Sequence, residues 1–86
     1  MDKWDKIVSV LSEVEKERYR QEEKWGEQNH PADHYYCILG EEFGEVGKAI
    51  CETPVGKATI ADVRAELIQV AAVAVAMVES IDRNGR

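Results

Sequence analysis

The chain has 86 residues, 44% of them apolar, which is enough for one packed domain over residues 1–86 but not for a large core. Its net charge of −6 and isoelectric point near 4.9 argue against a protein that coats the phosphates of a nucleic acid. They leave room for a small phosphorylated ligand, because a bound metal ion reverses the local field.

The first segment, from Asp2 to about Trp25, carries Trp4, Ile7, Leu11 and Val14 at alternating steps of three and four, the mark of a helical stripe. Beyond Val14 the stripe turns polar through Arg18 and Gln21 to Trp25, and nine of the twelve residues from Glu13 to Lys24 are charged. That run reads first as a solvated face laced with ion pairs at helical spacing, and second as the lining of a polar pocket. Gly26 ends the helix, and GEQNHPAD reads as a loop. Asp33 is the expected cap of a second helix, from His34 to about Glu52, whose stripe is Leu39, Phe43, Val46 and Ile50. The loop TPVGKA follows. Thr59 caps a third helix with Ile60, Val63, Leu67, Val70, Ala74, Met77 and Ile81 in unbroken alternation, ending near Asn84 and Gly85.

No stretch alternates with period two. The class is all-α: three helices, with helices two and three forming an antiparallel hairpin. Helix three also carries Ala72, Val73 and Ala76 beside its stripe, more apolar width than a three-helix monomer covers. The expectation is a homodimer or homotetramer built mainly through helices two and three.

Cys37 and Cys51 on one helix stand about 21 Å apart at about 1.5 Å rise per residue, too far to pair. They read as two buried thiols in a reducing compartment. The opening residues are charged and unlike a secretory leader, and the apolar run from Leu67 to Val78 is too short to span a bilayer. A cytoplasmic protein without membrane contact is expected.

The stretch GEEFGEVGKAI sets carboxylates beside an apolar stripe. Glu42 and Glu45 share a face, about 60° apart around the axis, and Glu66 and Gln69 repeat that spacing on helix three. Folding the hairpin about a midpoint between Val55 and Gly56 sets Glu45 level with Glu66 and Glu42 level with Gln69. Four oxygen-bearing side chains then meet between two helices. Carboxylates so placed raise one another's pKa unless salt bridges to Lys48, Arg64 or Arg18, or a hard divalent cation, relieve them. The alternative is ordinary surface glutamates on a helix flank. No EF-hand loop, phosphate-binding loop or zinc spacing is present, the Glu27-x-x-His30 spacing falls in the loop rather than on a helix, and His30 and His34, in or beside that loop, read as solvated.

The segment EEFGEVGKAI, with AELIQVAAVAVA on the next helix, resembles the MazG-like all-α nucleotide pyrophosphohydrolases, whose signature is E-x-x-E on one helix and E-x-x-D on the next. RYRQEEKWGEQNHP is similar to the leading helix and loop of a MazG-like subgroup, so the resemblance runs from about Glu17 to Asp82. It implies Mg2+, or Mn2+, held by Glu42, Glu45 and Glu66, with Gln69 where the family has aspartate. Glutamine keeps a carbonyl oxygen but removes one negative charge; Asp62 or Glu41 stands close enough in sequence to restore it. The implied reaction takes a nucleoside triphosphate to the monophosphate and pyrophosphate, with Glu41 or Glu45 accepting the proton of the attacking water. Lys48 and Arg64 would contact phosphate, Arg18 and Lys24 less directly, and Trp25 would stack on a base. Two other readings stand beside this one: a non-catalytic MazG-like protein that binds nucleotide or a partner, and a structural oligomerisation module.

Overall fold

The computed structural model describes residues 2–86 as three helices, α1 (Lys3–Trp25), α2 (Ala32–Glu52) and α3 (Ile60–Asn84), with no strand among the described residues. Among the described residues no helix is long and apolar enough to cross a membrane. Each start has a local cause. Asp2 caps α1, its carboxylate accepting from the Trp4 and Asp5 N–H groups at 2.8 and 3.1 Å. Thr59 and Asp62 form a reciprocal capping box on α3. That role occupies the Asp62 carboxylate, which accepts from the Thr59 N–H at 2.8 Å. Glycines with positive φ, Gly26 and Gly85 at 72°, close α1 and α3.

The expected Asp33 cap is corrected. Pro31 holds the cap position with extended backbone, its carbonyl accepting from the His34 and Tyr35 N–H groups, both at 3.1 Å. The helix therefore starts at Ala32, earlier than the sequence suggests, and Asp33 lies in its first turn.

α3 is the central element. α2 packs antiparallel on one flank across the short 53–59 loop, and α1 crosses α3 on the other, with Glu13 at Arg64 and Arg18 at Glu79; α1 and α2 do not pack on each other. The resulting body is a shallow layer, 42 × 33 × 21 Å, with a groove between α1 and α2 floored by α3.

The buried surface keeps Val14, Val46 and Val63 of the expected stripes and otherwise follows different residues. On α1 the buried positions are Val14, Arg18 and Gln21, while Trp4, Ile7 and Leu11 are exposed. Arg18 and Gln21 of the polar continuation are thus packed, Gln21 lining a hollow, while the rest of the run is the expected solvated face with ion pairs at helical spacing, Arg18–Glu22 and Arg20–Glu17. The apolar first turns of α1, Trp4 to Leu11, are left uncovered by the rest of the chain. On α2 the buried positions are Tyr35, Val46 and Ala49, while Phe43 is 67% and Ile50 53% exposed. The buried face is rotated toward Glu42, because the short side chain of Ala49 lets α3 approach there. Val46, Ala49 and Val63 form the small core between the two helices. Ala72 and Val73, assigned above to an intermolecular surface, are buried within the chain, because α1 and α2 close over that side of α3. The thiols of Cys37 and Cys51 are free and exposed rather than buried, as both lie on the side of α2 turned from α3.

Candidate functional site

Two hollows adjoin the α2–α3 interface. One is lined by Glu45, Lys48, Glu52, Lys57, Asp62 and Glu66. The other, about 250 Å3, lies where all three helices meet and is lined by Gln21, Trp25, Gln28, Tyr35, Glu42 and Gln69, with an aliphatic wall from Ile38, Val73 and Ala76. The expected level pairing is recovered: Glu45 shares the first hollow with Glu66, and Glu42 shares the second with Gln69.

Electrostatically the two hollows are joined. The Glu42 carboxyl is raised above its ordinary value, first by partial burial, then by the charges of Glu66, Glu45, Glu41 and Glu17. Among the described residues no residue of α2 takes part in an ion pair, although the helix carries five acidic side chains and Lys48. Glu66 is likewise unpaired. No three His, Cys, Asp or Glu side chains among the described residues are gathered closely enough to hold a metal ion. The donors offered are nevertheless all oxygen, and their charge is uncompensated, which suits a hard divalent cation.

Glu17 is a neighbour that the sequence reading missed. It lies on α1, yet its charge reaches Glu42. Its own pKa is lowered, first by hydrogen bonding from Arg20, then, against the effect of burial, by the amides of Gln69 and Gln21. The clue in the sequence was available: Glu17 sits one helical turn before Gln21, on the polar continuation of the α1 stripe.

The expected phosphate-contacting residues divide. Lys48 lines the acidic hollow with Glu45 and Glu66. Arg64 instead pairs with Glu13, bridging α3 to α1. Arg18 is committed further: it is buried, donates to Glu79 from Nε at 3.0 Å and from Nη2 at 3.1 Å, to Glu22 at 2.5 Å and to Gln21 at 3.0 Å. Both guanidinium groups serve the α1–α3 interface, because α1, crossing α3, brings Arg18 to Glu79 and Glu13 to Arg64. Glu41 is exposed, on the outer side of α2, and adds to the charge on Glu42. Trp25 borders the second hollow with the Lys24 ammonium 4.8 Å from its ring centroid.

The 26–31 loop closes one end of the groove. The Tyr35 hydroxyl and Arg83 Nη2 both donate to the Gln28 carbonyl at 3.0 Å, and Arg83 and Asn84 hold the Asn29 side chain at 3.0 and 2.9 Å. His30 packs against His34 and Tyr35, at centroid distances of 4.3 and 5.2 Å, so it is part of this closure rather than a free loop side chain. Comparison with known proteins gives no match of the chain to a family model, to a curated protein or to a solved structure.

Proposed function

We propose that the chain is a metal-dependent nucleoside triphosphate pyrophosphohydrolase of the MazG-like kind, acting in the cytoplasm as a homo-oligomer. The observation that carries this is the group of carboxylates between α2 and α3 that make no ion pair, in a chain whose other interface is held by Arg18–Glu79 and Arg64–Glu13. Glu42, Glu45 and Glu66, with the Gln69 carbonyl, are the donors that would hold Mg2+ or Mn2+. Bound there, the ion would neutralise charge on the phosphates and acidify an attacking water. The chain's own groups do the rest. Lys48, beside the acidic hollow, offers a cation to the phosphates. Glu41 and Glu45, both exposed and unpaired, are placed to take a proton from water.

The proposal of self-association rests on surface. Tyr36, Phe43 and Ile50 of α2 and Ile60, Leu67 and Val78 of α3 are all exposed, on the side of the hairpin away from the groove. Hairpin pairing sets Phe43 level with Leu67 and Ile50 level with Ile60, so these side chains form one apolar face. Ser80 is the largest side chain that is fully buried, so a single chain has little core of its own. A second copy applying the same face supplies the missing burial and leaves both grooves open. Sedimentation should give at least twice the 9.7 kDa of one chain at micromolar concentration, and Phe43→Glu should reduce it to monomer.

Mg2+-dependent release of pyrophosphate from a panel of ordinary and modified nucleoside triphosphates tests the activity. Release from at least one, abolished in Glu45→Gln, supports it; no release from any overturns it. Gln69 favours a second reading, a descendant that binds nucleotide without turnover, and saturable binding with no release would establish that one. Self-association with neither binding nor release would leave the structural module.

A further inference from the structure

We propose that α2 is the seam of a two-fold dimer, two copies lying antiparallel about Gly44 so that Cys37 of each faces Cys51 of the other, and that a low-molecular-weight disulfide locks the pair by two bonds between chains. The proposal rests on the self-association reading above and adds to it the arrangement and a redox consequence.

The side of α2 turned from α3 carries two rows. Tyr36, Phe43 and Ile50 repeat every seven residues, and all three are exposed. Beside them run Cys37, Gly40, Gly44, Gly47 and Cys51, at steps of three, four, three and four, exposed as well. A Cβ on any of these three glycines would meet nothing within 4 Å among the described residues, and none of the three has positive φ. Glycine inside a helix costs stability relative to alanine, and nothing within one chain offsets that cost here. A helix of a second copy does, because the distance between packed helices is set by the side chains at their contact.

The pattern also selects the orientation. Cys37 and Cys51 lie seven residues on either side of Gly44. Antiparallel pairing about Gly44 therefore sets Cys37 level with Cys51 twice, runs the two apolar rows together near Phe43, and brings Glu41 beside Lys48. Parallel pairing in register would set Glu41 on Glu41 and Lys48 on Lys48, so charge favours the antiparallel form. The hairpin register places Leu67 at the depth of the same axis. On α3, Leu67 then meets Leu67, and the exposed Ile60 meets the small Ala74. One axis thus serves both helices, as a self-complementary interface requires.

Both thiols are free and exposed. With helix axes about 8 Å apart, facing Cα atoms fall within the roughly 4.4–6.8 Å that a disulfide spans. Oxidised glutathione reacts with one cysteine to give a mixed disulfide and one glutathione thiol; the facing cysteine then displaces the second glutathione. Each bond between chains takes two electrons and two protons from two cysteine thiols, and these leave on two molecules of reduced glutathione.

Oxidation of the full chain with oxidised glutathione, followed by non-reducing gel electrophoresis, tests the arrangement. The parent should give a band at twice the 9.7 kDa of one chain. Cys37→Ser and Cys51→Ser should each give none alone, because like cysteines stand about 21 Å apart along the paired helices. An equal mixture of the two variants, combined before oxidation, should restore the band. Gly44→Gln should weaken association in sedimentation about tenfold or more and keep its helical circular dichroism, since the site is open within one chain. A dimer band from either serine variant alone, a mixture without a band, or undiminished association of Gly44→Gln overturns the proposal. If the parent still sediments as a dimer in that case, self-association stands with a different interface; a monomeric parent removes both.

Discussion

The two flanks of α3 handle acidic side chains in opposite ways. Against α1, carboxylates find arginines: Glu79 and Glu22 on Arg18, Glu13 on Arg64, and Glu17 on Arg20 within α1 itself. Their effect on pKa agrees, for Glu79 is lowered by hydrogen bonding from Arg18 and Glu17 by that from Arg20. Against α2 no carboxylate is paired, and Glu42 is raised. Paired charges hold one helix on another; unpaired ones at an interface cost stability unless something outside the chain compensates them. The arginines thus mark the structural interface, and their absence marks the candidate site.

The strongest way to break this contrast is to remove the cation on the paired flank. Arg18→Met leaves Glu79, Glu22 and the buried Gln21 without their partner and should cost about 2–3 kcal/mol in urea denaturation, less than the roughly 3–5 kcal/mol of a wholly buried pair because Glu79 is part-exposed. Adding Glu79→Met to that variant should recover much of the loss. On the unpaired flank the corresponding experiment adds a cation. Mg2+ at about ten times its dissociation constant should stabilise the folded chain by about 1.4 kcal/mol, and Glu45→Gln should remove most of this gain without altering helicity. An equal gain in both proteins would place the ion elsewhere.

Gln69→Asp sharpens the contrast by adding one more unpaired carboxylate. It should destabilise the metal-free chain through repulsion with Glu42 and tighten Mg2+ binding, an interaction between mutation and metal of about 1 kcal/mol. Equal destabilisation with and without Mg2+ would mean that the hollow holds no ion.

Smaller still is the pH signature, where the two flanks differ in sign. The folded-state pKa of Glu42 lies above its ordinary 4.5, so its favourable contribution is complete below 4.5 and lost as pH rises through the folded value. Without metal, Glu42→Gln should therefore stabilise at pH 7, by under about 1 kcal/mol given solvent screening, and lose that advantage below pH 4.5. Glu79 is lowered, so its contribution is complete above 4.5 and lost as pH falls through the folded value. Glu79→Gln should therefore destabilise at pH 7 and converge with the parent in acid. Smallest of all, Arg64→Ala removes an exposed pair with Glu13 and should leave the urea midpoint unchanged within error.

Periodicity located three helices, and the capping residues Asp2 and Thr59 located two of their starts, because caps act within a single turn. It misjudged which stripe each helix buries. On α2 the 3.6-residue pattern supports two faces, one through Tyr35, Val46 and Ala49 and one through Tyr36, Phe43 and Ile50; the larger apolar side chains lie on the exposed one. Large apolar residues announce burial without saying against what, and a second copy of the chain satisfies the pattern as well as the chain itself does. Similarly, the polar run through Arg18 and Gln21 resembles a solvated face until α3 brings Glu79 to it.

The sequence by itself determined the all-α class, the hairpin and the register that sets Glu45 beside Glu66 and Glu42 beside Gln69, because these follow from helix periodicity and one short loop. Only the tertiary structure decided that α1 crosses α3, that Arg18 and Arg64 are consumed there, and that Glu17 reaches Glu42 from a different helix. The physical reason is range. Capping, periodicity and a tight loop act over a few residues, whereas ion pairs such as Arg18 with Glu79 join positions 61 residues apart and exist only once the helices have packed.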